Sequence, residues 1–283
     1  MATFDSFPFQ TSWKVLILAD VDLTCCSALV EEYTMQEIQY DMIILCGPVC
    51  YRECETPEQI ASVHGDISAI IAQLENIVCR VCLLGSELDP SAVLTEQLHL
   101  TPNSVNIHGR SLPLSSGLSL LGFTETSGNL VHGKLPEDVD RSADSDEELE
   151  AMDVRFQSSL TSIELINDLL DKARSENEGG TCVFAFHQKY PHTLNHLLFH
   201  MPEKLKDAGV SLWVTPLAAT PPEGEAKEIR LPPKLGNLSI ASPGSLRRNG
   251  EYCTVELSRT SGDDTAWKVK DVKNLKLDRA GKE

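Results

Sequence analysis

The amino-acid sequence predicts an α/β fold built around a largely parallel sheet. Three strand-length apolar runs lie in the first third of the chain, and a helical pattern separates the second run from the third. Strands that alternate with helices form parallel sheets, because the chain must cross back over the sheet before each new strand. With 283 residues and 41% hydrophobic content, the chain can bury one large core or two smaller ones.

The first run, Lys14–Asp20, is continuously apolar and ends in a carboxylate. This predicts a strand buried on both faces that presents an acidic side chain at its carboxyl end. Asp41–Gly47 and Val81–Gly85 have the same shape and end in glycine. Between them, Thr56-Pro57-Glu58-Gln59 predicts a helix start with an N-cap and a reciprocal glutamine. The apolar residues of that helix recur at helical spacing: Ile60, Val63, Ile67, Ile70, Ile71 and Leu74.

After Pro90 the pattern changes to short strands separated by turn residues. Ser104–His108 and Ser111–Leu114 flank Gly109-Arg110, and Leu118–Phe123 follows, which together predict a hairpin-rich stretch.

The segment Thr124–Asp144 has no apolar period, so we expect an exposed acidic loop. Ser145-Asp146-Glu147-Glu148 then caps a predicted helix that Gly179-Gly180 ends. Its apolar stripe is Leu160, Ile163, Ile166, Leu170 and Ala173. The acidic segment 142–148 is interpreted as a solvated linker with a helix cap; phosphorylation or contact with a basic partner is the alternative.

The last third of the chain returns to strands. Thr181–Phe186 ends at His187, and Val210–Val214 is a second buried run. An antiparallel closing group is predicted from Leu238–Ala241, Tyr252–Ser258 and Thr265–Leu275. We therefore expect one domain over 14–277 with an acidic insertion at 124–146, preceded by an extension at 1–13 and followed by a tail at 278–283.

The net charge of -18, from 24 basic and 42 acidic residues, argues against nucleic acid or a membrane surface as partner. Arg247-Arg248 is interpreted as a solvated turn. The start of the chain lacks the features of a secretory signal, so we expect a cytoplasmic protein whose nine cysteines are reduced.

Two groups of potential zinc ligands have a simpler interpretation. Cysteines cluster at Cys46, Cys50, Cys54, Cys79 and Cys82. A strand through the last two would point them to opposite faces, which favours buried small residues over a metal site. His192, His196 and His200 share one helix face, but no third ligand or general base accompanies them, and a polar face explains them equally well.

Five segments at predicted strand ends carry a resemblance to a known family. They are Ala19-Asp20-Val21-Asp22, Leu45-Cys46-Gly47-Pro48, Leu84-Gly85-Ser86-Glu87-Leu88-Asp89-Pro90, Phe186-His187 and Trp213-Val214-Thr215-Pro216-Leu217-Ala218. Their order and spacing resemble the calcineurin-like metallophosphoesterases, whose corresponding motifs are Asp-x-His, Gly-Asp, Gly-Asn-His-Asp/Glu, a lone His and Gly-His-x-His. The resemblance implies an α/β/β/α fold, a two-sheet sandwich flanked by helices, and a two-metal centre for phosphoester hydrolysis.

Most of the family's ligands are replaced in this chain. Asp20 stands at the position of the first metal-binding Asp and His187 at that of the lone His, but Asp22 replaces the first His and Ser86 the Asn. Pro48 stands where the resemblance places the Asp that bridges both metals. Three further positions are also changed, with Glu87 at the catalytic His and with Leu217 and Ala219 at the last His pair. The extra Leu88 makes Asp89 an alternative match in the third motif.

These departures predict a metallophosphoesterase-like fold with a degraded metal centre, in a catalytically silent binding or regulatory protein with a protein partner. No cofactor is expected, or at most one Mg²⁺ or Mn²⁺ ion at Asp20, Asp22 and His187 with an oxygen from the third motif. An active single-metal phosphoesterase and a structural subunit of a larger assembly are the alternatives.

Overall fold

The computed structural model describes residues 10–49, 56–86, 89, 101–125, 162–176, 180–187, 196–197, 199–216, 234–259 and 266–277. Two six-stranded sheets pack face to face over these ranges, and helices cover both outer faces. The predicted two-sheet α/β sandwich is confirmed.

The first sheet contains the three apolar runs that the sequence analysis singled out. Its strands are β1 (Ser12–Ala19), β2 (Met42–Cys46), β3 (Val81–Leu84), β4 (Ser104–Asn106), β11 (Glu251–Arg259) and β12 (Trp267–Lys276). The order is β12-β11-β1-β2-β3-β4, with β1 to β4 parallel and β11 antiparallel to both of its neighbours. β1 begins at Ser12, two residues before the predicted start of the domain, and the side chain of Trp13 is fully buried.

The second sheet also has four parallel strands in a row. Its strands are β5 (Arg110–Ser115), β6 (Leu118–Thr124), β7 (Thr181–His187), β8 (Val210–Val214), β9 (Lys234–Leu235) and β10 (Leu238–Ala241). The order is β5-β6-β7-β8-β10-β9; β6, β7, β8 and β10 are parallel, and the edge strands β5 and β9 are antiparallel to their neighbours.

The helices divide between the two outer faces. In the described ranges we number α1 (Leu23–Met35), α2 (Pro57–Leu74), α3 (residues 162–176), α4 (Pro202–Asp207) and α5 (Leu246–Asn249); residues 196–197 and 199–200 are also helical. α1 and α2 cover the first sheet, whereas α3 and α4 cover the second. α2 starts as predicted, with Thr56 Oγ1 accepting from Gln59 N at 3.3 Å and Gln59 Oε1 accepting from Thr56 N at 3.0 Å. Among the described helices, none is long and apolar enough to cross a membrane.

Strand alternation places the apolar side chains in three layers. Ile17 and Ile44 face the second sheet and meet Leu120 and Val183, whereas Leu16 faces the helices. Trp13 joins the sheets through a hydrogen bond from its Nε1 to Ser115 Oγ at 2.9 Å. The core between the sheets therefore fixes how their strand ends meet.

Three details of the predicted topology are wrong. The strand at Ser104–Asn106 does not form a hairpin with the next one, because the first pairs with β3 and the second lies in the other sheet. Leu238–Ala241 likewise pairs with β8 and β9 instead of joining the closing antiparallel strands. Thr124, predicted to open an exposed loop, is a buried residue that ends β6.

Candidate functional site

Parallel strands of both sheets end along one edge of the sandwich, where the chain brings several polar residues together. Asp20 follows β1, Ser86 lies two residues beyond β3 and His187 ends β7. Thr124 Oγ1 connects the sheets by donating to the carbonyl oxygen of Gly85 at 2.6 Å. We call the ends of β1, β2, β3, β6, β7, β8 and β10, with the turn 242–248, the carboxyl edge.

Asp20 is the most heavily engaged carboxylate of this edge. It is 4% exposed, and its backbone has a positive φ of 50°. Ser245 Oγ donates to Asp20 Oδ2 at 2.6 Å. Arg247 Nε lies 3.1 Å from Oδ1, and Arg248 Nε lies 3.5 Å from Oδ2. Two guanidinium groups and a hydroxyl therefore surround the carboxylate that the resemblance assigns to a metal ion.

The turn before α5 holds these partners in place. Ser245 is the N-cap of α5, and its Oγ accepts from Arg248 N at 2.9 Å. Arg247 N donates to the backbone oxygen of Asp20 at 2.9 Å. Leu246, which follows Ser245 and precedes Arg247, is fully buried in the core beneath α1 and α2. Arg247-Arg248, expected to form a solvated turn, is partly exposed to solvent, and both side chains are in addition ion-paired with Asp20.

Asp22 points into the start of α1. Its Oδ1 accepts from Cys25 N at 2.8 Å, and Asp22 N donates to Cys25 Sγ at 3.1 Å. This is a capping arrangement, which satisfies N–H groups that the first helical turn leaves without a partner. Asp22 thus stabilises the start of α1.

Asp89 connects the loops that follow β2 and β3. Its carboxylate accepts from Val49 N and from Ser86 N, both at 2.7 Å, and from Ser86 Oγ at 3.1 Å. Gly47 lies so close that a Cβ there would be 2.2 Å from Asp89 Oδ2 and 2.5 Å from Ser86 N. Ser86 and Asp89, both candidate oxygen ligands, are therefore hydrogen-bonded to each other. The two loops pack so closely here that a side chain at position 47 would not fit.

His187 is buried between the strand ends, and burial lowers its pKa to about 4, although contacts with the Gly47 backbone and its own backbone oppose the shift. Its Nδ1 finds no hydrogen-bond partner among the residues the structure describes. Glu125 is fully buried beside it, and Glu125 N donates to the backbone oxygen of His187 at 2.9 Å. His187 is thus a neutral imidazole at neutral pH.

These residues fit a dinuclear metal centre poorly. No group of three or more His, Cys, Asp or Glu side chains in the described ranges is placed to hold a metal ion. Asp20 is paired with arginines and Asp22 caps a helix, while Pro48 carries no side-chain oxygen. Glu87, Leu217 and Ala219 lie outside the described residues.

The two other candidate metal clusters are only partly described. Cys46 and Cys82 are buried and Cys79 is exposed, while Cys50 and Cys54 lie outside the described residues. Burial raises the pKa of both buried thiols to about 12, so they stay protonated. The rings of His196 and His200 lie 5.1 Å apart, and His192 falls outside the described ranges.

Sequence reasoning missed Arg247, Arg248 and Glu125 as members of this edge. A signal existed for the arginines, since Pro243-Gly244-Ser245 follows a strand and offers an N-cap serine ahead of them. No comparable pattern marks Glu125, which follows β6 at the start of a polar stretch.

Comparisons with known proteins found related folds only among solved structures. No family model matches the sequence, and no curated protein matches it. One crystal structure shares 12% sequence identity over 94% of this chain and 99% of its own, with a TM-score of 0.52.

Two further solved structures carry names. A candidate 5'-nucleotidase from Staphylococcus aureus, in complex with alpha-ketoglutarate, shares 10% identity at a TM-score of 0.51; the match covers 94% of this chain and 54% of that one. The protein TT1561 of Thermus thermophilus shares 14% identity over 94% of this chain and all of its own, at a TM-score of 0.49. At such identities a match above 0.5 shows the fold alone: the chain has the two-sheet α/β sandwich of a phosphoesterase-like fold.

Proposed function

We propose that this chain is a metallophosphoesterase-like protein that has lost its dinuclear centre and acts as a binding or regulatory protein rather than as a hydrolase. The environment of Asp20 is the observation that supports this proposal. Its Oδ1 lies 3.1 Å from Arg247 Nε, and its Oδ2 lies 3.5 Å from Arg248 Nε and 2.6 Å from Ser245 Oγ. A carboxylate so engaged has little capacity left for a cation.

Electrostatics supports the same conclusion. Two divalent ions held about 3.5–4 Å apart repel strongly, and a shared anionic ligand offsets that repulsion. Pro48 supplies no such ligand, and a metal ion beside Asp20 would also meet two guanidinium charges. Metal binding at Asp20 would require both arginines to move away.

An active single-metal phosphoesterase at Asp20, Asp22 and His187 is the second candidate. One observation favours it: His187 is neutral at physiological pH, and its Nδ1 has no partner among the described residues. A neutral imidazole nitrogen can bind a metal ion.

A hydrolysis assay separates these two functions. Wild-type protein and Asp20→Ala are compared with bis(p-nitrophenyl) phosphate and p-nitrophenyl phosphate in millimolar Mn²⁺. We expect both proteins to give the background rate with both substrates. Turnover that depends on Mn²⁺ and disappears in Asp20→Ala would establish the single-metal enzyme instead.

Binding or regulation implies a protein partner, which we place in the cytoplasm. The acidic composition, with a net charge of -18, favours a partner with a basic surface. Size-exclusion chromatography of cell extract tests whether such a partner is bound. We expect the protein to elute at an apparent mass well above the 31.1 kDa of one chain, and its elution volume to change with the salt concentration. Elution as a single chain at low and high salt would argue against a stable complex and against a structural subunit.

A further inference from the structure

We propose that the outer edge of β12 is a docking site for an acidic, extended segment of a partner protein, which adds to the first sheet as a further strand. β12 lies at the end of that sheet and takes no part in the carboxyl edge. The inference names one partner chemistry for the proposed binding function, and it rests on that function to this extent alone.

β12 is the longest of the four strands that end the two sheets within the described ranges. Of the others, β4 has three residues and β9 has two, while β5 has six and contains Pro113. Short edge strands and proline hinder pairing with a further strand. β12 has ten residues and no proline, and no described strand pairs with its outer side. It therefore presents backbone N–H and C=O groups with which a partner strand can pair.

A bulge sets the length of regular edge that is available. The pairing of β11 with β12 shifts between Glu256 and Leu257, which leaves Lys270 without a partner on β11. A bulge interrupts regular pairing. Over residues 271–276 the register is unbroken, and six residues of strand are about 20 Å long. We call residues 270–276 the docking edge.

The docking edge is held from both faces of the sheet. Val272 packs against the core between the sheets, and Leu275 packs against the core beneath α1 and α2. Asn274 Oδ1 accepts from Cys253 Sγ at 2.7 Å. Ordering a binding surface is a cost of association, and an edge that is already ordered avoids much of it.

Lysines dominate the charge of β12. The four exposed lysines of the strand are Lys268, Lys270, Lys273 and Lys276. The only carboxylate on the strand is Asp271, whose Oδ2 lies 2.8 Å from Lys273 Nζ. The hydrogen bond to Asp271, together with the charge of Glu256, raises the pKa of Lys273. The other three lysines form no ion pair in the part of the chain that the structure describes.

Nearby carboxylates do not cancel this charge. The acidic side chains of β11 and β12, with one from α1 that interacts electrostatically with β11 at Tyr252, are Asp271, Glu251, Glu256 and Glu32. They stand beside five cationic side chains, the four lysines and Arg259. The carboxylate of Glu251 packs against Gly244. Asp263 and Asp264, which precede β12, lie outside the described residues.

The position of the charges matters as much as their number. All four lysines are on the outermost strand of the sheet, so a partner meets them first. β1 is two strands further in, about 10 Å away, and charges at that distance are largely screened at physiological salt. β12 is thus a local exception to the net charge of -18.

This combination of an open edge and lysines selects an acidic strand. Lysines on an edge disfavour pairing with an apolar or a basic strand, and two copies joined edge to edge would bring their lysines together. A strand with Glu or Asp at alternate positions forms cross-strand ion pairs while its backbone extends the sheet. The same lysines therefore exclude a second copy and favour an acidic partner.

Titration of the full chain with hexapeptides, followed by amide NMR at constant ionic strength, tests the inference. The probe alternates Glu and Val. One control alternates Lys and Val, and the other is the probe with its central Val replaced by Pro, which lacks the N–H that a strand donates. We expect only the probe to give saturable shifts at the amides of β12 and to slow hydrogen exchange there. Linear shifts with the probe, or an equal Kd for the proline peptide, would overturn the site.

Protein variants test the lysines separately, whereas the peptide comparison needs wild-type protein alone. We expect Lys270→Gln/Lys276→Gln to weaken binding of the probe about fivefold, through the loss of two exposed ion pairs. The matched control is Lys172→Gln/Lys206→Gln, which removes the same charge from exposed positions of α3 and α4 and should leave Kd unchanged. Equal weakening by both variants would contradict the assignment.

Other occupants of this edge have their own outcomes. Tighter binding of a single-stranded DNA hexamer than of the probe would assign the lysines to nucleic acid. A dimer in sedimentation equilibrium that the probe dissociates would assign the edge to a second copy, and either result overturns the inference. Mn²⁺-dependent hydrolysis that disappears in Asp20→Ala would refute the proposed function and leave Kd for the probe unchanged, so the two failures are distinguishable.

Discussion

At Asp20, sequence and structure provide different information. The continuous apolar run before it predicted a strand buried on both faces of a sheet. The acidic residue after the run was therefore predicted to lie at the carboxyl end of that strand. Its partners could not be predicted, since Ser245 lies 225 residues further along the chain and only tertiary folding brings its turn to β1. The same holds for Asp89, whose hydrogen bond from Val49 N spans 40 residues and brings the loop after β2 against the loop after β3.

The Asp20 ion pairs should be measurable by a double-mutant cycle on the free energy of unfolding. We expect a coupling of about 1–2 kcal/mol between Asp20→Ala and Arg247→Ala, because the carboxylate is buried while the arginine is partly screened by solvent. The control pairs Arg247→Ala with Asp168→Ala on the exposed face of α3, and these effects should add within about 0.5 kcal/mol. Coupling of equal size in both cycles would show that the Asp20 contacts contribute nothing specific.

Burial of His187 predicts a pH-dependent stability. Its pKa is lowered to about 4 from an ordinary value of 6.5, so between these values the unfolded chain binds a proton that the folded chain does not. Stability is therefore fully present above pH 6.5 and is lost as the pH falls towards 4, by about 1.4 kcal/mol per pH unit and on the order of 3 kcal/mol in total.

Urea unfolding of wild type and His187→Gln from pH 7.5 to 4 measures this contribution. Burial also lowers the pKa of His108 to about 4, but His108 is present in both proteins and its effect cancels in the difference. We expect the wild-type free energy of unfolding to fall more steeply on acidification than that of the variant. Parallel curves would mean that the pKa of His187 is the same in the folded and the unfolded chain.

At the scale of elements, the parts that carry strong local signals were predicted and those with weak signals were missed. α2 was predicted from its capping residues and apolar spacing, both of which are properties of a short segment. α1 was missed, because its start depends on Asp22, which the family resemblance interpreted as a metal position. The division of β4 and β5 between sheets was also missed, since a turn at Gly109 predicts a reversal but not which strand becomes the neighbour.

The start of α2 offers a test of its capping box. Replacing Thr56 by Ala removes the oxygen that accepts from Gln59 N, and we expect a loss of about 1 kcal/mol in the free energy of unfolding. Thr56→Ser keeps that oxygen and should cost no more than a few tenths of a kcal/mol. Equal losses from both substitutions would assign the effect to the methyl group of Thr56 rather than to the cap.

At the scale of the whole molecule, the apolar pattern of the strands predicted an α/β fold with a largely parallel sheet, and the family resemblance implied the α/β/β/α layering, but neither predicted the contacts at the edge. Alternate side chains of strands such as β1 and β7 fill the core between the sheets, and the others meet the helices. This arrangement brings the carboxyl ends of both sheets together whether or not metal ligands follow the strands. The fold therefore does not by itself determine the environments of Asp20 and His187.

Anomalous diffraction from a crystal soaked in Mn²⁺ decides whether Asp20 is a metal ligand, because it locates the ion without assuming any activity. We expect no anomalous peak beside Asp20, with Arg247 Nε remaining about 3.1 Å from its carboxylate. One or two manganese peaks between Asp20 and His187, with the arginines displaced, would contradict this expectation.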